Sequence, residues 1–488
     1  MIYDNLLALT ARAPTTSGLR QGGVFTPYAA LVERIGRLAA GFIERGVERG
    51  DPVALLIPNS PDLFVTAHAL FAIGAIAVPL SETATRSELA TLARKAEPKA
   101  VVSTPGLAAA ETLIADAAPG IPLFRTDALP ESSAATELPK LSGDTAALYV
   151  FSSGSTGLPK VVPHTHAELI ADSERSSTAW GIQPDDIVLD ILPSNFSMGF
   201  LLGATQAVAG GATTLYWSDP LPLALSRRKL LDTMVGERVT FMGAVPAMYE
   251  ILAGQAGSFD LKLRLAFCGG VALQRPVFDL VRERLGVTLR QDYGSTEVSM
   301  FSHNDSADPD ATWASVGKPA GDGEVRIVAF DTEFGPSVGE MEVRSSSLMR
   351  GYLGDAAATA AAFDGDWFRT GDLASLDEEG RIFVRGRSKL LIEVSGYKID
   401  PIEVEETLMT LPAVTEAAVT GLPDRRNGNR LIAFVVTGDE VSADDLIRYA
   451  RERLSVQKVP TEIAFVDALP RSPAGKVLRA RLRDLQAG

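Results

Sequence analysis

The chain holds a single cysteine, Cys268, in 488 residues. One thiol excludes an internal disulfide and any cysteine-based metal cluster, and it fits a reducing compartment. Basic residues are in short supply too: 46 Lys and Arg stand against 61 Asp and Glu, a formal charge of −15. Nucleic-acid binding and docking on anionic membranes both need a basic face, so neither is expected as a general activity. A long uninterrupted apolar run is missing. The most apolar stretch, LFVTAHALFAIGAIAVPL, is broken by Thr66, His68 and Pro79, and it reads as a buried helix feeding a buried strand rather than a membrane span. The first residues, MIYDNLLALTARAPTTSG, lack a basic patch followed by an apolar core, so they do not read as a signal peptide and a cytoplasmic protein is expected. Neither an internal repeat nor a low-complexity tract is found.

What is present is ordinary globular composition, 46% hydrophobic and 22% charged, in a chain too long for one growing core, so two or more domains are expected. Thr26 and Pro27 make a helix start, and Tyr28, Leu31, Ile35, Leu38 and Phe42 then recur at three- and four-residue steps until Gly46. VALLI at 53–57, AIAV at 75–78 and AVVS at 100–103 read as strands apolar on both faces, with helices from Asp62 and Ser87 between them. That alternation predicts an α/β fold, a mainly parallel sheet covered on each side. The 104–143 region is rich in Ala, Pro and Ser and reads as peripheral, and strands resume at AALYVF, 146–151. From 323 to 353 short strands with turn signals suggest a β-rich subdomain. A boundary is expected near 384–396. Beyond it the pattern is compact α+β: a helix from Pro401, strands at 414–420 and 431–437, and a helix opened by Ser442.

FSSGSTGLPK, 151–160, packs small hydroxyls, two glycines and a lysine behind an apolar run. It is not a Walker loop, because Leu158 and Pro159 separate Gly157 from Lys160. The physical requirement is nevertheless similar. Gly154 and Gly157 let successive N–H groups turn toward one anion, Ser152, Ser153, Ser155 and Thr156 add donors, and Lys160 adds charge. A plain turn-rich loop is the alternative. QDYGSTE, 291–297, offers Tyr293 to stack on a base, Thr296 to reach a phosphate and Glu297 as a hard oxygen ligand for Mg²⁺. DWFRTGDLA, 366–374, sets Asp372 to accept from two ribose hydroxyls, and RSPAGKVLR, 471–479, frames Lys476 with Pro and Gly. Each also has a bland reading: a core aromatic for Tyr293, a turn cap for Asp372, a solvated charge for Lys476.

Taken together and in order, SSGSTGLPK, QDYGSTE, WFRTGDLA, GRSKLLIEVSGYKIDPIEVE and SPAGKVLR resemble the adenylate-forming superfamily of acyl- and aryl-CoA synthetases, stand-alone adenylation enzymes and firefly-type luciferases. The resemblance runs from near residue 20 to the C-terminus. It implies a large N-terminal domain of layered sheets, 1–388, and a small mobile domain, 389–488, hinged at Lys389. It also implies ATP, Mg²⁺ and CoA as the small molecules used. The 152–160 loop would hold the pyrophosphate end of ATP. Gly269 and Gly270 would approach the adenine with Asp292, Tyr293 and Gly294. Thr296 would reach the α-phosphate, Glu297 the metal, and Asp372 the ribose with Arg387 beside it. Lys476 would contact the α-phosphate and carboxylate, and Gly396 would border the thiol channel.

The same resemblance places the acid pocket at Asn195, Phe196, Met198, Gly199, Val245, Cys268 and Val271, and NFSMGFLLG looks most like benzoate-type aryl-CoA ligases. Phe196 cannot act as a base, and no Asp in 194–199 waits for a substrate ammonium, so an aryl, alicyclic or medium-sized uncharged acid is expected. The chain departs from the family in Val161, where a glycine often follows the loop lysine, and in QKVP at 457–460; neither change removes a charge. The acceptor is CoA or the arm of a carrier protein, and the assembly a monomer or homodimer. The reading of a different class is a non-catalytic nucleotide- or acyl-binding regulator, against which stand Glu297, Asp372 and Lys476 together.

Overall fold

The computed structural model describes all residues except 12–15, 83, 85, 108–111, 113–119, 135–136, 153–158, 220, 330–336, 388–391, 395–396, 425–427, 455, 472–476, 483–484 and 486–488. By packing, the chain divides into two compact units. The first comprises Met1–Val325 with Val343–Phe368, the second Arg326–Glu342 with Arg369–Gly488. The expected domain boundary at 388 and 389 falls among residues outside the described ones.

The first unit carries two sheets. In the six-stranded sheet the order is Leu123–Arg125, Ala100–Ser103, Pro52–Leu56, Ile76–Pro79, Ala146–Ser152 and Lys160–Thr165, parallel except for the last pair. The nine-stranded sheet runs Lys318–Pro319, Ser299–His303, Leu289–Ser295, Leu265–Cys268, Phe241–Ala244, Ile187–Asp190, Thr213–Tyr216, Gly18–Gln21 and Val24–Pro27. Its interior pairs are parallel and its outer pairs antiparallel. This is the α/β architecture that alternating doubly apolar strands and helices require.

The local causes are visible in the helices. In Tyr28–Glu44 the predicted stripe of Tyr28, Leu31, Ile35, Leu38 and Phe42 is wholly buried, each such side chain contributing about 1.5–3 kcal/mol. Pro61–Ile73 starts where the Ser60 hydroxyl accepts the Leu63 N–H at 3.3 Å and stops at Gly74, whose φ of 75° a residue with a Cβ resists. From Leu63 to Ile73 the helix is buried on every side, Thr66 and His68 included, which explains why it is apolar all round rather than along one stripe. No helix among the described residues is long and apolar enough to cross a membrane.

The strand Leu123–Arg125 is a difference from expectation: the region read as peripheral supplies the edge of the six-stranded sheet. Three residues behind Pro122 carry too little alternation to announce a strand. A π-helical turn, Leu202–Gln206, also interrupts the helix that follows Ser197. The short strands expected between 323 and 353 are Glu324–Ala329 and Gly339–Arg344, and Phe363–Asp364, Trp367–Leu376 and Ile382–Arg387 follow beyond that range.

The second unit includes the expected α+β body. Val414–Asp424 and Gly428–Thr437 pair antiparallel, and Glu462–Phe465 adds to the latter in parallel. Helix Pro401–Met409 buries Val404 and Leu408, and Ala443–Arg451 buries Leu446 and Ala450, against Val419, Leu431, Ala433 and Val435. Ser442 caps the second helix by accepting the Asp445 N–H at 3.2 Å.

Candidate active site

Strand pairing brings the ends of the Ser/Gly-rich loop together, with Ser152 opposite Lys160 in the antiparallel register. Ser153, Gly154, Ser155, Thr156 and Gly157 lie outside the described residues. Lys160 does not pair with a carboxylate among the described residues. Its Nζ stands over the Tyr352 ring, 4.2 Å from the centroid. The Tyr352 hydroxyl donates to Glu297 Oε1 at 3.0 Å, while Glu297 Oε2 has no hydrogen bond among the described residues. Burial and then the Glu297 charge raise the Tyr352 phenol, which therefore remains a donor.

The main chain around this cluster is tied on both sides. His164, wholly buried, donates Nε2–H to the Thr296 carbonyl at 2.8 Å. The Met349 N–H donates to the Glu297 carbonyl at 2.8 Å, and the Leu353 N–H to the Val161 carbonyl at 3.0 Å. Thr296 and Glu297 are thus held against the strand that leaves the loop, and a cation, a carboxylate and a phenol converge there.

A second group forms at the C-terminal ends of parallel strands, where open α/β sheets place their ligands. A Cβ on Gly269 would stand 3.3 Å from the Asp292 carbonyl oxygen and 3.7 Å from Met198 Sδ, and one on Gly270, at φ +80°, would reach Val245 Cγ1 at 4.0 Å. The two glycines therefore bring the 269–270 turn up to Met198, Val245 and the Asp292 backbone. Asn195 and Phe196 are half-buried, and Val271 is exposed. Tyr293 is half-buried, its ring edge-on to Phe301 with centroids 6.5 Å apart.

Four expectations are corrected in how the residues are used. The Asp292 carboxylate points inward: the Trp180 indole N–H donates to Oδ2 at 2.7 Å and His303 Nδ1–H to Oδ1 at 2.6 Å, and burial pushes the carboxyl up. Only its backbone borders the Gly269 turn. Cys268 has no exposure and packs behind that turn with Met242 and Tyr249; burial pushes its thiol up, so it is inert core. Gly199 is buried, and a Cβ there would stand 2.5 Å from the Pro193 carbonyl oxygen, so it serves a close backbone approach rather than lining a pocket. Gly294 has the same duty in the hairpin, where a Cβ would meet the Ser299 carbonyl oxygen at 2.3 Å.

In the second unit Asp372 is buried on Trp367–Leu376 opposite Arg387, whose Nε donates to Oδ1 at 2.6 Å. The Asp372 N–H donates to the Thr370 hydroxyl at 3.0 Å, and Gly371 turns there at φ +73°. Lys389, Gly396 and Lys476 lie outside the described residues.

Residues 10–353 match the AMP-binding enzyme family, and 403–476 match the AMP-binding enzyme C-terminal domain. The chain belongs to the AMP-binding enzymes. It is similar over most of its length to curated relatives: a feruloyl-CoA synthase of Amycolatopsis, 32% identical with 96% of each chain covered, and a 2-succinylbenzoate–CoA ligase of Bacillus cereus, 31% identical with 94% and 93% covered. The solved o-succinylbenzoate CoA synthetase of Bacillus subtilis, in complex with the acyl-adenylate OSB-AMP, matches with a TM-score of 0.87 at 27% identity, covering 98% of each chain. The resemblance to adenylate-forming enzymes and the expected fold are thereby borne out.

In this AMP-binding enzyme the donor set suits a divalent cation shared with phosphate. No group of three acidic, His or Cys side chains capable of holding a metal is found among the described residues. Mg²⁺ is commonly held by one or two carboxylates plus substrate phosphates, and Glu297, with one oxygen steadied by Tyr352 and the other unengaged, fits that pattern. Two contributors went unrecognised in the sequence, His164 and Tyr352. The only local sign of Tyr352 is the glycine before it: Gly351 has φ +150°, and a Cβ there would meet Thr359 Cγ2 at 2.6 Å.

Proposed function

We propose that this enzyme joins a carboxylic acid to AMP at the expense of ATP and then passes the acyl group to the thiol of CoA. The observation that carries the reading is the meeting of Lys160, Thr296 and Glu297 at the exit of the Ser/Gly-rich loop. In the first step a carboxylate oxygen attacks the α-phosphorus, the bond from that phosphorus to the bridging oxygen of the β-phosphate breaks, and pyrophosphate leaves. In the second the thiol sulfur attacks the acyl carbon and loses its proton, and AMP departs with the anhydride oxygen.

Little covalent work is asked of the protein; it positions anions and neutralises developing charge. Lys160 and the loop hydroxyls take the β- and γ-phosphates, Thr296 the α-phosphate, and Asp372 with Arg387 the ribose. Glu297 is the residue to hold Mg²⁺, which when bound neutralises phosphate charge. Lys476 stabilises the adenylation transition state, and residues 389–488 turn about Lys389 between the two steps to admit the thiol past Gly396. The acid is aryl, alicyclic or medium-sized and uncharged, seated among Asn195, Phe196, Met198, Val245 and Val271.

The test is acid-dependent exchange of labelled pyrophosphate into ATP across aryl, alicyclic and fatty acids, followed by CoA-dependent release of AMP. Exchange with one of these classes and turnover with free CoA are expected. Exchange without CoA turnover points to a carrier-protein acceptor, and no exchange with any acid removes the catalytic reading.

A further inference from the structure

Tyr352 sits between the two charged groups of the phosphate end of the site. Its ring carries the Lys160 ammonium at 4.2 Å and its hydroxyl holds Glu297 Oε1 at 3.0 Å. The backbone at and beside it is pinned by three bonds: the Tyr352 N–H donates to Thr359 Oγ1 at 2.9 Å, the Leu353 N–H to the carbonyl of Val161, and the Met349 N–H to the carbonyl of Glu297. The residues that flank Tyr352 are thus fastened to the two segments that present Lys160 and Glu297, and the phenol touches both side chains.

We propose that Tyr352 is a positioning residue for nucleotide binding. Its hydroxyl orients Glu297 so that Oε2 faces the metal of MgATP, and its ring holds Lys160 apart from Glu297 until phosphate arrives. The assignment rests on the adenylate-forming reading above. The physical reason is competition. A lysine and a glutamate left side by side would close into an ion pair, and entering phosphate and cation would each have to break it. A ring face holds the ammonium weakly and releases it readily, while a phenol O–H leaves the carboxylate its full charge and fixes its orientation. Partners that orient a metal-ligating carboxylate typically matter about 10- to 100-fold in metal affinity or activity.

The experiment is calorimetric titration of α,β-methylene-ATP into the full-length protein, with and without Mg²⁺, with pyrophosphate exchange in parallel. For Tyr352→Phe, metal-free affinity is expected within about twofold of wild type, and the Mg²⁺ concentration for half-maximal binding rises about tenfold. In a Glu297→Gln background, adding Tyr352→Phe has no further effect on the Mg²⁺ response. Tyr352→Leu, which also removes the ring, lowers metal-free affinity as well. A Tyr352→Phe midpoint within twofold of wild type overturns the orienting role, and so does a shift that persists beside Glu297→Gln. Equal metal-free affinity for Phe and Leu overturns the role of the ring. Should the Leu variant fail to fold by circular dichroism, the Phe variant and the double variant still decide the orienting role. A wild-type protein whose nucleotide binding ignores Mg²⁺ defeats the adenylate-forming reading itself; a normal wild-type response with an indifferent Tyr352→Phe defeats only the assignment of Tyr352.

Discussion

Replacing Asp400 by Asn should remove most of the pH dependence of stability in the C-terminal body between neutral and mildly acid conditions. Asp400 opens the helix Pro401–Met409, its Oδ1 accepting the Ile402 N–H at 2.9 Å. The residue is 1% exposed, and its Oδ2 has no hydrogen-bond partner among the described residues. The Gly386 backbone closes off that oxygen, since a Cβ there would stand 2.4 Å from it. Burial raises the carboxyl from 3.8 to about 7, with Glu405 and Glu403 adding to the rise and the Ile402 hydrogen bond and Arg479 opposing it. A group that binds its proton more tightly when folded contributes stability that is whole below the unfolded pKa and is lost as pH climbs through the folded one. At about 1.4 kcal/mol per pH unit, the gap corresponds to a loss of roughly 4 kcal/mol in all, of which about 3 falls between pH 4.5 and 8.5. Asn keeps the capping oxygen and is as good a cap as Asp, but it does not titrate. All four tryptophans lie in the first unit, so fluorescence would miss the effect. Hydrogen exchange by mass spectrometry on peptides spanning 401–409 and 431–437, variant against wild type at matched pH, reads it directly. The wild type should lose protection relative to Asp400→Asn as pH rises, and a difference that stays flat across that range refutes the reasoning.

Three further outcomes are expected. Lys476→Ala should lower acid-dependent pyrophosphate exchange by on the order of 10² or more, the usual effect of losing one transition-state donor; near-normal exchange would contradict its role. Trp180→Phe keeps the stack on Phe267, whose ring centroid lies 4.7 Å away, but takes the indole N–H from buried Asp292. Urea unfolding followed by the remaining tryptophans should show a loss of about 1–3 kcal/mol. Gly317→Ala forces a Cβ to within 1.8 Å of the His303 carbonyl oxygen at φ +81°. Backbone has to move, and a lowered melting temperature equivalent to at least 1–3 kcal/mol, roughly, is expected by differential scanning fluorimetry.

Much of the fold was legible because its causes are local. The stripe from Tyr28 to Phe42, the doubly apolar run Ala100–Ser103 and the Ser442 cap are each settled within a few residues of chain. Gly269 and Gly270 entered only through the family resemblance, while Glu297 stood out locally because a hard oxygen ligand restricts residue type. Side-chain partners were not legible. His164 meets Thr296 across 132 residues and Tyr352 meets Glu297 across 55, distances over which sequence spacing carries no geometry.

Asp292 shows how far local logic reaches. Along Leu289–Ser295 the pleat buries Leu289 and Gln291 and leaves Arg290 half-buried, so alternation would turn Asp292 outward with Arg290, toward a ligand. Asp292 keeps that face, paired opposite His303 ahead of the register shift between Tyr293 and Gly294, yet it is buried. A buried carboxylate is costly unless its oxygens are engaged, and here Trp180 and His303 engage one each. Trp180 ends a helix more than a hundred residues earlier. The burial of Asp292 is therefore decided by the tertiary partners that cover its face rather than by the strand's period, whereas Glu297, beyond the bulge and tied through its backbone to Met349, meets the phenol of Tyr352. Two acids five residues apart differ in burial because core donors cover one, while the other meets a half-buried phenol.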